Sequence, residues 1–564
     1  MPAYNLSDSI PDGSYVQGYC LRGSRSRRTY HDRTGNTPPP LHAFSSWPTM
    51  GRRSPDPESA LSPKIRRSSL TARARALFHH TLSLPGLVIK RINRLGWHLR
   101  VLAYLGFIGF LYLCYSRHAR LNLLYNLTGI GQNHDDTNVN WPPRYEDIRE
   151  WQANLPQHDL SLPYPEGKKG RYVRFSSQIR KLGWNNVFNE LLLLTWLAQR
   201  SNRAYVFEDY TWKQGYYPWY RVKAREVPSI TPLPALIAGP TAGGPWESGE
   251  LTPRSVHESY WKKVCPKSKT KVIIVQDFKK KHNLYEKNAT EIFETWRSEL
   301  AADGHQCVDV QGPKKRVEDY AQVFDLWLWG SERILDIWEE FRDSSVSRLL
   351  KTSPVVERAV NGNEDLFVTP ALAHGEDPFD RLFAVHLRRG DFKKACQGLA
   401  DWKSSFYSWN QLPWLPDRFP YLPGGEHLYG SNTPENTKKY FERCLPDKDR
   451  IIERINGARE EYEKEVFEKP LVKHHVNVLF ILTNDQSSWL DSLREELERY
   501  DWKIVTSHQI KFTTAQEQDV SMAIDMDLAR KAAIFMGNGW SSFTSNIVHR
   551  RLVDKKIPLA NRFF

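Results

Sequence analysis

Residues 382–392, Leu-Phe-Ala-Val-His-Leu-Arg-Arg-Gly-Asp-Phe, decide how the chain is read. An apolar run ends in His386, Arg388, Arg389 and Asp391, which predicts a strand over 382–387 with polar groups at its carboxyl end. Open α/β sheets bind their ligands at that edge. Side chains alternate along a strand, so His386 and Arg388 share one face and Arg389 points away. Arginine presents a planar fork that matches a phosphate in a bidentate manner, and its fixed charge can stabilise a departing diphosphate. An ordinary strand-end ion pair is a sufficient account of Arg389 with Asp391, but not of the whole run.

Working outward, β-rich runs at 172–175, 203–207, 272–275, 476–482 and 503–505 alternate with helical stretches at 186–200, 317–341, 450–467, 488–500 and 524–534. Such alternation over some four hundred residues predicts an α/β fold, two doubly wound Rossmann-like lobes facing a cleft. A cluster of Gly, Asn, Pro and acidic residues over 361–377 is the natural divide, giving lobes at 168–370 and 371–564. Two further stretches carry chemistry. In 180–190, Gly183, Asn185, Asn186 and Glu190 open an apolar helix whose free N–H groups suit a phosphate or a sugar hydroxyl. In 525–544 a helix feeds a short strand and a glycine turn, after which Ser541, Ser542 and Phe543 open the next helix, again an anion geometry. Asp525 and Asp527 invite a metal reading, but residues two apart on a helix point about 200° from each other. No metal is expected, and no Cys-x-x-Cys or His-rich spacing suggests zinc.

Together these stretches resemble the GDP-fucose protein O-fucosyltransferase superfamily. HLRRGDF (386–392) is similar to its His-x-Arg-Arg motif, FMGNGWSSFT (535–544) with Asp525 to its C-terminal donor motif, and LGWNN (182–186) less closely to its N-terminal loop. The resemblance covers about residues 170–555. It implies a GT-B fold, an inverting sugar transfer from a GDP-sugar, fucose foremost, and no cofactor or required metal. By the same carry-over Arg388 contacts the β-phosphate, His386 the nucleotide and Asp525 the guanine. Ser541, Ser542 and Phe543 line the diphosphate, while Gly183, Asn185 and Asn186 face the sugar and acceptor. Some members carry a Glu just before the N-terminal glycine as a base; Leu182 stands here, which leaves Glu190 as the nearest catalytic carboxylate.

Charge locates the rest. The chain has 564 residues and a net charge of +14, of which 16 Lys+Arg against 5 Asp+Glu, a net +11, fall in residues 1–100. The body is therefore nearly neutral, and a fold-wide basic footprint for nucleic acid is excluded. Residues 1–94, rich in Ser, Pro, Arg and Gly, read as a disordered cytosolic tail. Residues 95–116 read as a short signal-anchor helix, with Arg100 snorkelling at one end. Lys90, Arg91, Arg94 and Arg100 precede the apolar core, so the positive-inside rule puts the tail in the cytosol. A stem (117–167) and the catalytic lobes then lie in the Golgi or endoplasmic reticulum lumen. Cys265, Cys307, Cys396 and Cys444 are an even set for an oxidising compartment. Of three possible pairings, Cys265–Cys307 and Cys396–Cys444 keep each bridge within one lobe. Asn288-Ala-Thr290 is a glycosylation sequon; the sequon at Asn126 sits close to the bilayer. Expected partners are a nucleotide sugar, a protein or glycan acceptor and a membrane through one helix. The competing reading is a catalytically inactive lumenal nucleotide-sugar or glycan binder on the same fold, against which the intact His386, Arg388 and Asp525 argue.

Overall fold

A computed structural model describes residues 142–177, 183–212, 217, 219, 230–312, 322–370, 372, 375–389, 392–420, 422–423, 432–467 and 475–564. The tail, the 95–116 anchor, Asn126, Leu182 and Asp391 lie outside the described residues. Among the described residues no helix is long and apolar enough to cross a membrane.

Two five-stranded parallel sheets organise the body. The first has the order β6-β2-β1-β8-β7, from β1 (Tyr172–Phe175), β2 (Ala204–Phe207), β6 (Val256–His257), β7 (Thr270–Ile274) and β8 (Cys307–Gln311). The second has the order β12-β11-β10-β13-β14, from β10 (Leu382–Leu387), β11 (Val478–Thr483), β12 (Lys503–Thr506), β13 (Ile534–Gly537) and β14 (Asn561–Phe563). Two short antiparallel pairs, β3 (Tyr210–Thr211) with β4 (Ile230–Thr231) and β5 (Ile237–Ala238) with β9 (Lys351–Thr352), complete the strands among the described residues. Helices cover both faces of a parallel sheet, so its strands are apolar on both sides. β10 shows why: Phe383, Val385 and Leu387 enter one apolar cluster with Ile451 and Leu479, whereas Leu382 and Ala384 enter the main core. That main core also takes in Val173 and Phe175 of β1, so one body of apolar side chains runs beneath both sheets.

Two expectations are corrected. The run 317–341 is not one helix. Among its described residues it breaks into Leu326–Trp329, the 3-10 turn Glu332–Ile337 and Trp338–Arg342. Asp325 starts the first piece by accepting Trp327 N and Leu328 N, and Gly330 ends it. The stem is also shorter than read, because residues 142–167 belong to the folded body. Leu155 and Gln152 are buried there, and the Gln157 amide donates to Gly243 O and Ser255 O at 2.8 Å each. Tyr145, at the head of this segment, donates its hydroxyl to Asp519 at 2.6 Å. Asp519 also accepts Thr231 Oγ1 at 2.6 Å and Trp219 Nε1 at 3.0 Å, so one buried carboxylate ties three distant segments.

Cys265 is bonded to Cys307 and Cys396 to Cys444, with Cα atoms 5.7 and 5.8 Å apart.

Candidate functional site

The site is built where β10, β12 and β13 end. His386, the last polar residue of β10, lies on the face shared by Leu382 and Ala384. Its ring sits 4.5 Å from that of Phe543, tilted by 38°, and its Nδ1 lies 3.4 Å from Thr544 Oγ1. Groups 158 residues apart in the chain therefore meet at one sheet edge. Burial, aided by the Arg388 charge, pushes the His386 imidazolium down to about 3, so the ring is neutral. Arg388 carries its guanidinium 5.1 Å above the Phe392 ring. Arg389 points the other way, 3.9 Å over Trp489, and donates to Pro446 O at 2.6 Å. Both arginines follow the last residue of β10, and they stack on different rings, Arg388 on Phe392 and Arg389 on Trp489.

From β13 the chain turns through Gly537-Asn538-Gly539-Trp540 into the helix Ser542–Val553. Ser541 is the N-cap, and its side chain makes no cap bond, so the first N–H groups of a twelve-residue helix are left for an incoming anion. The turn is braced from outside. The Asn538 amide donates to Cys444 O at 2.8 Å and its oxygen accepts Trp540 N at 3.0 Å. The Asn410 amide donates to Gly539 O and Ser541 O at 2.9 and 3.3 Å, and Tyr407 N donates to Gly539 O at 2.9 Å. Both glycines are required by space: a Cβ on Gly537 would fall 2.5 Å from Thr544 Oγ1, and one on Gly539 2.4 Å from two carbons of the Phe406 ring.

Asp525 stands on the helix Ser521–Lys531 and accepts Ser507 Oγ at 2.9 Å. Burial pushes its carboxyl up to about 7, against that hydrogen bond. Asp527 turns away and is held by Thr352, Arg530 and Arg550. The two carboxylates therefore have separate partners. Among the described residues no group of three or more His, Cys, Asp or Glu side chains could hold a metal ion.

The N-terminal turn departs from its expectation. Gly183 is exposed and caps the helix Trp184–Arg200 without a side-chain bond. Asn185 is committed to joining the sheets: its backbone and side-chain oxygens accept Asn546 Nδ2 at 3.0 and 3.1 Å, and its amide contacts Met522 Sδ at 3.5 Å. Asn186 is half-buried on the first turn, its N–H taken by Gly183 O. Glu190 is not placed for catalysis. It is 1% exposed, and its carboxylate accepts Gln322 Nε2 and Val323 N at 3.1 Å each, which leaves no path for an acceptor hydroxyl. Burial pushes it up to about 7. The carboxylates at the first sheet's edge are likewise engaged, Glu208 by Arg174 and Asp309 by Ser176 and Gln311. Sequence reading missed Phe406, Asn410, Ser507 and Thr544; of these only Thr544 lay inside a stretch it had singled out.

No protein-family model matches the chain, and no curated protein matches it. Among solved structures the chain is similar to POFUT1 in complex with GDP-fucose, at 15% identity over 68% of this chain and 94% of that one, TM-score 0.35. It is similar to NodZ alpha-1,6-fucosyltransferase soaked with GDP-fucose, at 13% identity over 68% and 92%, TM-score 0.32. A mutant of Arabidopsis thaliana FUT1 in complex with GDP aligns at 12% identity over 77% of each chain, TM-score 0.30.

Proposed function

We propose that this protein is a glycosyltransferase that moves a sugar, fucose from GDP-fucose, to a hydroxyl of a protein or glycan acceptor with inversion. The observation that carries the reading is the meeting of His386 with Phe543 and Thr544. It brings the end of β10, which Arg388 directly follows, to the uncapped start of the helix Ser542–Val553 at the edge of a parallel sheet. A diphosphate seated there meets a fixed positive charge and a set of oriented N–H groups. Asp525, recessed beside the end of β12, offers the paired acceptor that guanine's N1–H and 2-amino group require.

The acceptor oxygen attacks the anomeric carbon from the face opposite the diphosphate, and as the new carbon–oxygen bond forms its hydroxyl proton passes to solvent. The carbon–oxygen bond to the β-phosphate breaks, and its electron pair stays on the leaving group. Arg388 and the Ser541–Phe543 turn act where that charge grows, which is where a preorganised site is most effective. They take the part a divalent cation plays elsewhere. Glu190 is not the base. The basic flank of residues 95–116 and the two disulfides support a type II anchor with the body in the lumen of the Golgi or endoplasmic reticulum.

The test is a thermal-shift panel on the full chain in detergent with GDP-fucose, GDP-mannose, UDP-sugars and ADP-sugars, with and without EDTA. Guanine nucleotides raise Tm, EDTA does not abolish the shift, and radiolabelled fucose passes to acceptor glycoproteins. No response to any guanine nucleotide would overturn the reading.

A further inference from the structure

We propose that Ser507 is a positioning residue that orients the Asp525 carboxyl and favours its ionised form, so that seating the guanine base completes the ionisation and expels the remaining proton. The inference rests on the proposed use of a GDP-sugar and extends it to how the base is selected and how pH governs donor capture.

The serine is itself held in place. Ser507 opens a 3-10 turn after β12, and Thr506 N donates to Gln509 Oε1 at 2.8 Å in a capping box around it. The next residue, His508, is fixed between Asp485 O at 2.9 Å and the Gln486 amide at 3.2 Å. A hydroxyl presented by so constrained a turn fixes the direction of Asp525 Oδ2, which accepts it. The remaining acceptor positions of the carboxylate are then aimed as a pair. Guanine offers two donors side by side, N1–H and the 2-amino group. Only the ionised carboxylate can accept both, because a protonated one would set O–H against N–H.

The resting carboxyl is raised to about 7 by burial, with the Ser507 bond as the opposing influence. Charged groups on the surrounding elements have other partners. Asp527 is held by Arg530, Arg550 and Thr352 on the far side of its helix, Arg358 by Glu517, and Arg381 by Glu376. On β10 His386 is neutral, and His508 faces Asp485 and Gln486. The proton balance is simple: the carboxylic acid releases its proton to solvent, and the carboxylate takes two N–H donors in its place. Below the resting pKa the affinity should fall about tenfold per pH unit, and above it the curve should flatten.

The probe is GDP-fucose, whose diphosphate carries no group titrating between about pH 5.5 and 8.5, measured by calorimetry on the full chain. In the wild type affinity rises through about pH 7 to a plateau, and buffers of different ionisation heat report about half a proton released at pH 7. Ser507→Ala moves the midpoint upward, weakening binding about fivefold at pH 7 and little at pH 8.5. Ser507→Thr restores the wild-type curve. Asp525→Asn binds weakly at every pH, releases no proton and no longer prefers GDP-fucose to an inosine diphosphate sugar. Binding that is flat with pH, or a Ser507→Ala loss equal at every pH, overturns the inference while leaving the GDP-sugar reading intact. Absence of binding by the wild type at any pH overturns that reading instead.

Discussion

Replacing Gly539 with alanine should both destabilise the protein and weaken donor capture. The added Cβ would lie 2.4 Å from Phe406 Cε1 and Cζ and 2.5 Å from Cδ1. Carbon atoms settle at about 3.5–4.0 Å, so ring and turn must part by about 1 Å. Neither side yields easily. The Phe406 ring is boxed by Trp540 at 4.8 Å, Phe563 at 5.3 Å and Phe419 at 5.8 Å. The turn is pinned by Tyr407 N and the Asn410 amide, both on Gly539 O. Overpacking of this kind costs about 1–3 kcal/mol. Because Ser541 hangs from the same turn, the helix N-terminus shifts with it, and GDP-fucose affinity should fall at least about tenfold, the equivalent of 1.4 kcal/mol. Urea denaturation reads the first effect and calorimetry the second. Phe406→Leu in the Gly539→Ala background should recover part of both, with a coupling energy of about 1 kcal/mol or more in the double-mutant cycle. Wild-type stability and affinity in Gly539→Ala, or strict additivity with Phe406→Leu, would refute the reasoning.

Arg388→Lys keeps the charge but loses the fork, and turnover should drop about 10²–10³-fold; Arg388→Ala should lose more, with circular dichroism unchanged. Arg389→Ala should instead lower Tm, since it removes the stack on Trp489 and the bond to Pro446 O, while leaving donor affinity within a few fold. Glu190→Gln should keep turnover within a few fold and flatten part of the pH dependence of stability. The folded carboxyl sits at about 7 against 4.5 in a free chain, so its contribution is full below pH 4.5 and is lost as pH rises through 7, a swing of about 3 kcal/mol read by denaturation at pH 4.5 and 8. Asn288 is exposed and caps its helix with no side-chain bond, so a glycosidase should shift the mass of the protein expressed in eukaryotic cells, and Asn288→Gln should abolish the shift.

What could be read from the sequence follows the physics of each element. β10 and β11 were legible because a strand buried on both faces is a nearly unbroken apolar run. β8 was missed although it lies between β1 and β7: its Cys-Val-Asp-Val-Gln alternates in polarity and carries Asp309, which bonds Ser176 at the sheet edge. Of the motif residues, His386 and Phe543 meet at the second sheet's edge because one stands at the end of β10 and the other at the start of the helix after β13, whereas Asp525 sits within a helix and meets Ser507. Asn185 and Glu190 misled because a helix start looks alike whether its polar groups face a ligand or a neighbouring helix. Ser507, Phe406 and Asn410 had no sequence signal; their importance comes from contacts distant in the chain, such as Ser507 with Asp525, Asn410 with Ser541 and Phe406 with Phe563.

The carboxylate shared by Tyr145, Thr231 and Trp219 has a consequence for biosynthesis. Tyr145 and Asp519 are 374 residues apart, and a ribosome adding about 5–20 residues per second needs about 20–75 s to span that interval. The first sheet's last strand ends at Gln311, so that sheet is complete well before Asp519 is made, and only then can the Tyr145–Asp519 bond form. The Tyr145–Asp519 bond is therefore a late addition to an amino-terminal segment that already has earlier-made partners, Gly243 and Ser255 among them. Pulse-labelled chains halted before residue 519 should already protect the stretch around Gln157, and chains extended past it should gain protection around Tyr145 as well.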